Sequence, residues 1–80
     1  MNIKDMIKDV TLTDADIMFL LEVDEMGVCY KPNSYFTKLL DLDNRYIEDI
    51  IFRLKYKGYI NVIKGIWLRG LADRQITINN

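Results

Sequence analysis

The side chains that do chemistry are scarce in this 80-residue chain, and their spacing does not suit a catalyst. There is no histidine, the commonest general base and a frequent metal ligand. Cys29 is the single cysteine, which excludes an internal disulfide and any multi-cysteine zinc site. Its residue type at that place reads as a small buried hydrophobe. Ser34 is the only serine and has no histidine to activate it. Gly27, Gly58, Gly65 and Gly70 are scattered rather than gathered in a phosphate-cradling loop. The 12 acids read as solvated surface. The expectation is a chain that is not an enzyme and takes no cofactor and no metal.

Cations and aromatics are what remain, and the cations are unevenly placed. Residues 1–30 hold two bases against seven acids, a net of −5, while residues 31–80 hold nine bases against five acids, a net of +4. The overall charge of −1 is the sum of those opposed halves. A basic second half suits a polyanion, although a typical DNA-binding domain is far more basic. No run approaches the roughly 18 apolar residues that a membrane span needs, and the opening MNIKDMIKDV has no signal-peptide core. No membrane association and a cytoplasmic location are expected.

Eighty residues allow one domain, here 1–80, with 1–11 as an N-terminal extension. Ile3, Met6, Ile7 and Val10 could line one side of a short helix within that extension. Thr13 and Asp16 form a capping-box pattern that opens a helix over 14–26, and Gly27 closes it. Val28, Cys29 and Tyr30 are β-prone, enough for one short strand. Pro32 and Asn33 open a second core helix over 33–40. Asp41-Leu42 is a tight turn, and Asp43 can cap a third core helix over 44–57, stopped by Gly58. Two period-two segments follow, over 59–64 and 74–79, and can pair as a hairpin. The expected class is α+β: three core helices and a C-terminal β-hairpin.

Within that order a motif stands out. The stretch GVCYKPNSYFTKLLDLDNRYIEDIIFRLKYKGYINVI, followed by RQITI, resembles the winged helix-turn-helix of replication-initiator and replisome-organiser proteins from low-GC bacteria, their plasmids and phages. Gly27, Cys29, Asn33, Leu39, Leu40, Ile47, Leu54, Lys57, Gly58, Tyr59, Ile60, Arg74, Ile76 and Ile78 carry the likeness, which covers roughly residues 12–79. The resemblance implies a small winged helix that binds double-stranded DNA in replication initiation or transcriptional regulation. The helix over 44–57 would then enter the major groove. Asn44, Arg45 and Tyr46 would lie nearest the bases, while Arg53, Lys55, Lys57, Lys64, Arg69 and Arg74 would contact phosphate.

Helical periodicity supports a second reading of the same helix. At 100° per residue, Ile47, Ile50, Ile51 and Leu54 form the buried face, and Arg45, Asp49, Phe52 and Tyr56 form the opposite stripe. Asp49 and Glu48 would meet phosphate with like charge, and Phe52 offers a backbone nothing it can bind. Phe52 and Tyr56 could pack under the N-terminal segment, form a partner or dimer patch, or stack on nucleic acid. Trp67 and Leu68 occupy a wing that is ordinarily polar, and could cover the core or make a contact. The alternative to DNA is therefore a winged helix adapted to protein binding, as a self-assembly module forming a homodimer or a small phage-type inhibitor of a host protein. Asp49, Phe52, Tyr56, Trp67 and Leu68 are its candidate contacts.

Overall fold

The computed structural model describes residues 2–65 and 73–80. Residues 66–72, which carry the candidate contacts Trp67, Leu68 and Arg69, lie outside the described residues. Among the described residues, four helices and three strands follow in the order α1 (Ile3–Met6), α2 (Asp14–Met26), β1 (Val28–Cys29), α3 (Asn33–Leu40), α4 (Asn44–Tyr56), β2 (Ile60–Lys64) and β3 (Arg74–Ile78). This is an α+β fold with the helices-plus-hairpin layout of a small winged helix-turn-helix.

Local chemistry accounts for the boundaries. The Thr13 hydroxyl accepts from the Asp16 amide at 3.1 Å, and the Asp16 carboxylate accepts from the Thr13 amide at 2.9 Å. That reciprocal cap satisfies two donors that a helix start leaves unpaired. After α3 the chain reverses at Asp41, which sits in the left-handed region at φ 54°. Aspartate tolerates that conformation better than most side chains. Two residues later, the Asp43 carboxylate accepts from the Tyr46 amide and starts α4. Gly58 ends that helix at φ 78°, where a side chain would be strained. The Tyr59 amide then donates back to the Leu54 carbonyl at 2.9 Å, turning the chain into β2.

The sheet is antiparallel, in the order β1-β3-β2, so the last strand is the central one. Ile60 faces Ile78 and Val62 faces Ile76 across the hairpin, while Cys29 pairs with Ile76 on the other side. The short strand expected at 28–30 forms over Val28–Cys29, and it pairs with β3 to extend the hairpin into a three-stranded sheet. Pairing with β3 satisfies backbone groups that two residues could not satisfy alone.

The core lies between α2, α3, α4 and the sheet. Phe19, Leu20 and Val23 of α2 meet Phe36 of α3, then Ile47, Ile50, Ile51 and Leu54 of α4, with Cys29, Ile60, Ile76 and Ile78 beneath. The Phe19 and Phe36 rings approach to 4.5 Å between centroids. Burying each large apolar side chain contributes about 1.5–3 kcal/mol. Met6 belongs to the same core, so the N-terminal segment is packed into the domain rather than appended to it. Its helix is shorter than the sequence pattern suggested, a single turn over Ile3–Met6 capped by Asn2.

Candidate interaction surface

Helix α4 has two unlike sides, and its apolar face explains how it is held. Ile47, Ile50, Ile51 and Leu54 are buried, as the periodicity predicts, and fix the rotation of the helix. The outward positions are Arg45, Tyr46, Glu48, Asp49, Phe52, Lys55 and Tyr56, all exposed. Phe52 is 71% exposed and Tyr56 85%. Their rings stack at 6.4 Å between centroids with planes 17° apart. The N-terminal segment does not cover them. Its Asp9 and Thr11 bond instead to Lys57 and Tyr59, just past the C-terminal end of α4, and the two rings still face solvent.

Several bases expected to meet phosphate are instead engaged within the fold. The Arg53 guanidinium grips the Asp16 carboxylate at both ends, Nε to Oδ2 at 3.1 Å and Nη2 to Oδ1 at 2.7 Å. Asp16 is fully buried, whereas the Arg53 side chain is 39% exposed. The bond to Asp16 holds Arg53 firmly in its charged form, its pKa raised further above the ordinary arginine value. One carboxylate thus caps α2 and ties α2 to α4.

Lys57 is similarly occupied. Its ammonium donates to Thr11 Oγ1 at 2.8 Å and to Asp9 Oδ2 at 3.2 Å. Asp9 also accepts from the Tyr59 hydroxyl at 2.7 Å and from both the amide and hydroxyl of Thr11. The Thr11 and Tyr59 hydroxyl bonds, with Lys57 adding less, hold the Asp9 carboxyl well below its ordinary value. The same bond pushes the Tyr59 phenol upward.

Arg74, at the start of β3, donates to Asn33 Oδ1 at 2.6 Å and to the Lys31 carbonyl at 2.9 Å. Partial burial pulls its pKa below the ordinary arginine value. The Asn33 amide group then donates to Asn44 Oδ1 at 2.9 Å and to Glu48 Oε1. This chain of side chains fixes the starts of α3 and α4 against the hairpin, and it orients Glu48.

Sequence reasoning missed Asp9, the full role of Asp16, and the hub at Asn33. Asp16 was legible only as a cap, and its burial depends on Arg53, 37 residues away. The cations with no ion pair among the described residues include Arg45, Lys55 and Lys64 of the sequence-based set, together with Lys31 and Lys38. Lys31 and Lys38 border an open groove of about 510 Å³ on α3, lined also by Pro32, Ser34, Tyr35 and Leu39. The Lys31 ammonium lies 5.3 Å from the Tyr35 ring centroid. The Tyr35 hydroxyl donates to Glu22 Oε2 at 2.9 Å, which raises the phenol's pKa.

Cys29 is buried, and desolvation raises its pKa, opposite to the shift a nucleophilic thiolate needs. No described helix is long and apolar enough to cross a membrane. Among the described residues no three potential metal ligands are grouped. The outward face of α4 presents a stacked aromatic pair, with Arg45, Asp49 and Lys55 exposed on the same side of the helix. No protein-family model, no curated protein and no solved structure matches the chain.

Proposed function

We propose that this chain is a winged-helix binding module, not an enzyme, that contacts another protein through the outer face of α4. The observation that carries this reading is the stacked, solvent-facing pair Phe52 and Tyr56. Two large rings side by side on a rigid helix supply contact area at little entropic cost, and aromatic residues dominate interface hot spots. Glu48 and Asp49 stand where a groove-reading helix would approach phosphate. At about 4 Å in water each acid would oppose a phosphate by about 1 kcal/mol, offsetting one cation of similar exposure. Arg53, Lys57 and Arg74 already have partners inside the fold, which weakens the DNA reading further.

A second reading, a DNA-binding protein in replication initiation or transcriptional regulation of plasmid or phage type, keeps one specific observation in its favour. Asn44, Arg45 and Tyr46 are all exposed at the start of α4, with Lys55 and Lys64 exposed as well. In either case the expected setting is the cytoplasm. Fluorescence anisotropy with duplex DNA separates the two readings. If Arg45, Lys55 and Lys64 neutralise three phosphates, affinity falls roughly 40-fold between about 50 and 200 mM salt. The protein-binding reading predicts no binding at the lower salt, and a steep salt-dependent isotherm abolished by Arg45→Ala would overturn it.

A further inference from the structure

We infer that the occupant of the α4 outer face is a second copy of this chain, with the two α4 helices packed antiparallel about a two-fold axis. This inference rests on the protein-binding reading and names its partner.

The stripe Arg45, Asp49, Phe52, Tyr56 is spaced by four, three and four residues, so it reads the same from either end. That is also the alternating four-three spacing of a coiled-coil seam. Its midpoint falls between residues 50 and 51, near the centre of the Asn44–Tyr56 helix. A two-fold axis there sets Arg45 of one copy against Tyr56 of the other, and Asp49 against Phe52. The outer layers then place a guanidinium on an aromatic face.

The flanks are self-complementary too. Glu48 and Lys55 lie seven residues apart on one edge of the stripe, and Tyr46 and Arg53 lie seven apart on the other. In an antiparallel pair each edge meets its own counterpart. Glu48 then faces Lys55 of the second copy twice over, once on each side of the axis. Tyr46 covers the exposed part of the Arg53 guanidinium, which Asp16 holds in place. Glu48 is likewise pre-positioned, because Asn33 donates to one of its oxygens and leaves the other free. Groups already fixed in the free chain lose less freedom on association. The antiparallel arrangement also sets each helix N-terminus beside the other's C-terminus, the favourable arrangement of their dipoles.

A two-fold contact requires one patch that complements itself, and this face meets that condition in the spacing of its stripe and in the Glu48 and Lys55 charges of one flank.

The test is sedimentation equilibrium across a protein range of about 5–500 µM, a span that brackets weak to moderate association. The apparent mass is expected to rise from 9.5 kDa toward twice that value. Phe52→Asp should stay monomeric throughout, and a thermal melt matching that of the native chain at a concentration where both are monomeric would show that it still folds, since the ring is exposed. Glu48→Lys and Lys55→Glu should each weaken self-association on the order of tenfold, because each turns two attractions into repulsions. Mixing those two variants should restore association, since every contact in the mixed pair is again between opposite charges. A chain that remains at 9.5 kDa across the range, or a mixture that stays monomeric when the native chain dimerises, overturns the second-copy inference. The broader reading fails by a different result, salt-dependent duplex binding that Arg45→Ala abolishes.

Discussion

The two sides of α4 use charge and aromaticity in opposite ways. At one edge of the helix and around its ends, cations are consumed in building the fold: Arg53 on Asp16, Lys57 on Asp9 and, from β3, Arg74 on Asn33, which bonds to Asn44 at the helix start. On the outward side, the large apolar groups Phe52 and Tyr56 face solvent. A groove-reading helix wants the reverse, with free cations outside and rings within. The contrast teaches that counting bases along a sequence overstates what is available to a polyanion. A guanidinium held by a buried carboxylate cannot also neutralise phosphate without abandoning that carboxylate.

The largest break in the contrast should come from Arg53→Ala. It leaves the Asp16 carboxylate buried and unpaired, and such losses destabilise by about 3–5 kcal/mol. Because Arg53 is partly exposed, the lower end of that range is expected. Chemical denaturation would measure it, and an effect under about 1 kcal/mol would mean the pair is not structural. Asn33→Ala should come next, at about 1.5–3 kcal/mol, since it removes the acceptor of a charged donor and two further bonds at once. Its exposed surroundings again favour the lower end.

A smaller effect is expected from Asp9→Asn, visible in the shape of stability against pH. The folded chain holds this carboxyl below its ordinary value of 3.8, so its contribution is complete above about pH 4 and declines as pH falls further. The variant should lose that acid-side slope, and a denaturation series between about pH 2 and 7 would reveal it. Tyr59 has the opposite sign. Its phenol is raised above 10.0, so its contribution is complete below that value and is lost as pH rises past it. The smallest change should be Phe52→Ala, whose effect on stability should lie within about 0.5 kcal/mol because the residue is 71% exposed. A large loss there would mean the ring supports the fold, and the contrast between the two sides would collapse.

Much of this is legible in the amino-acid sequence. The Thr13–Asp16 cap, the Asp41 reversal and the four-residue apolar face of α4 are local patterns, since a helix or turn is decided by neighbours a few residues apart. The outward stripe Arg45, Asp49, Phe52, Tyr56 was legible for the same reason, as the complement of the buried face. The third strand was only half visible, because two residues carry no periodicity and its pairing is made with residues almost 50 positions later. The ion pairs were not legible at all. Nothing local to Arg53 distinguishes an arginine that reaches a buried aspartate on another helix from one that reaches solvent. The open question of what lies over Phe52 and Tyr56 depended on where residues 2–11 run, and tertiary packing decides that. With Met6 in the core and Asp9 bound to Lys57 and Tyr59, that segment passes elsewhere.

The most direct test of the claim that this outward face is a protein contact is amide chemical-shift mapping as the concentration of the chain is raised. The account predicts concentration-dependent shifts gathered at Arg45, Tyr46, Glu48, Asp49, Phe52, Lys55 and Tyr56, with little change at Ile60, Ile76 and Ile78 in the sheet. Shifts that are absent from that stripe on concentration, and that arise at Asn44, Arg45 and Lys64 when duplex DNA is added, would contradict it.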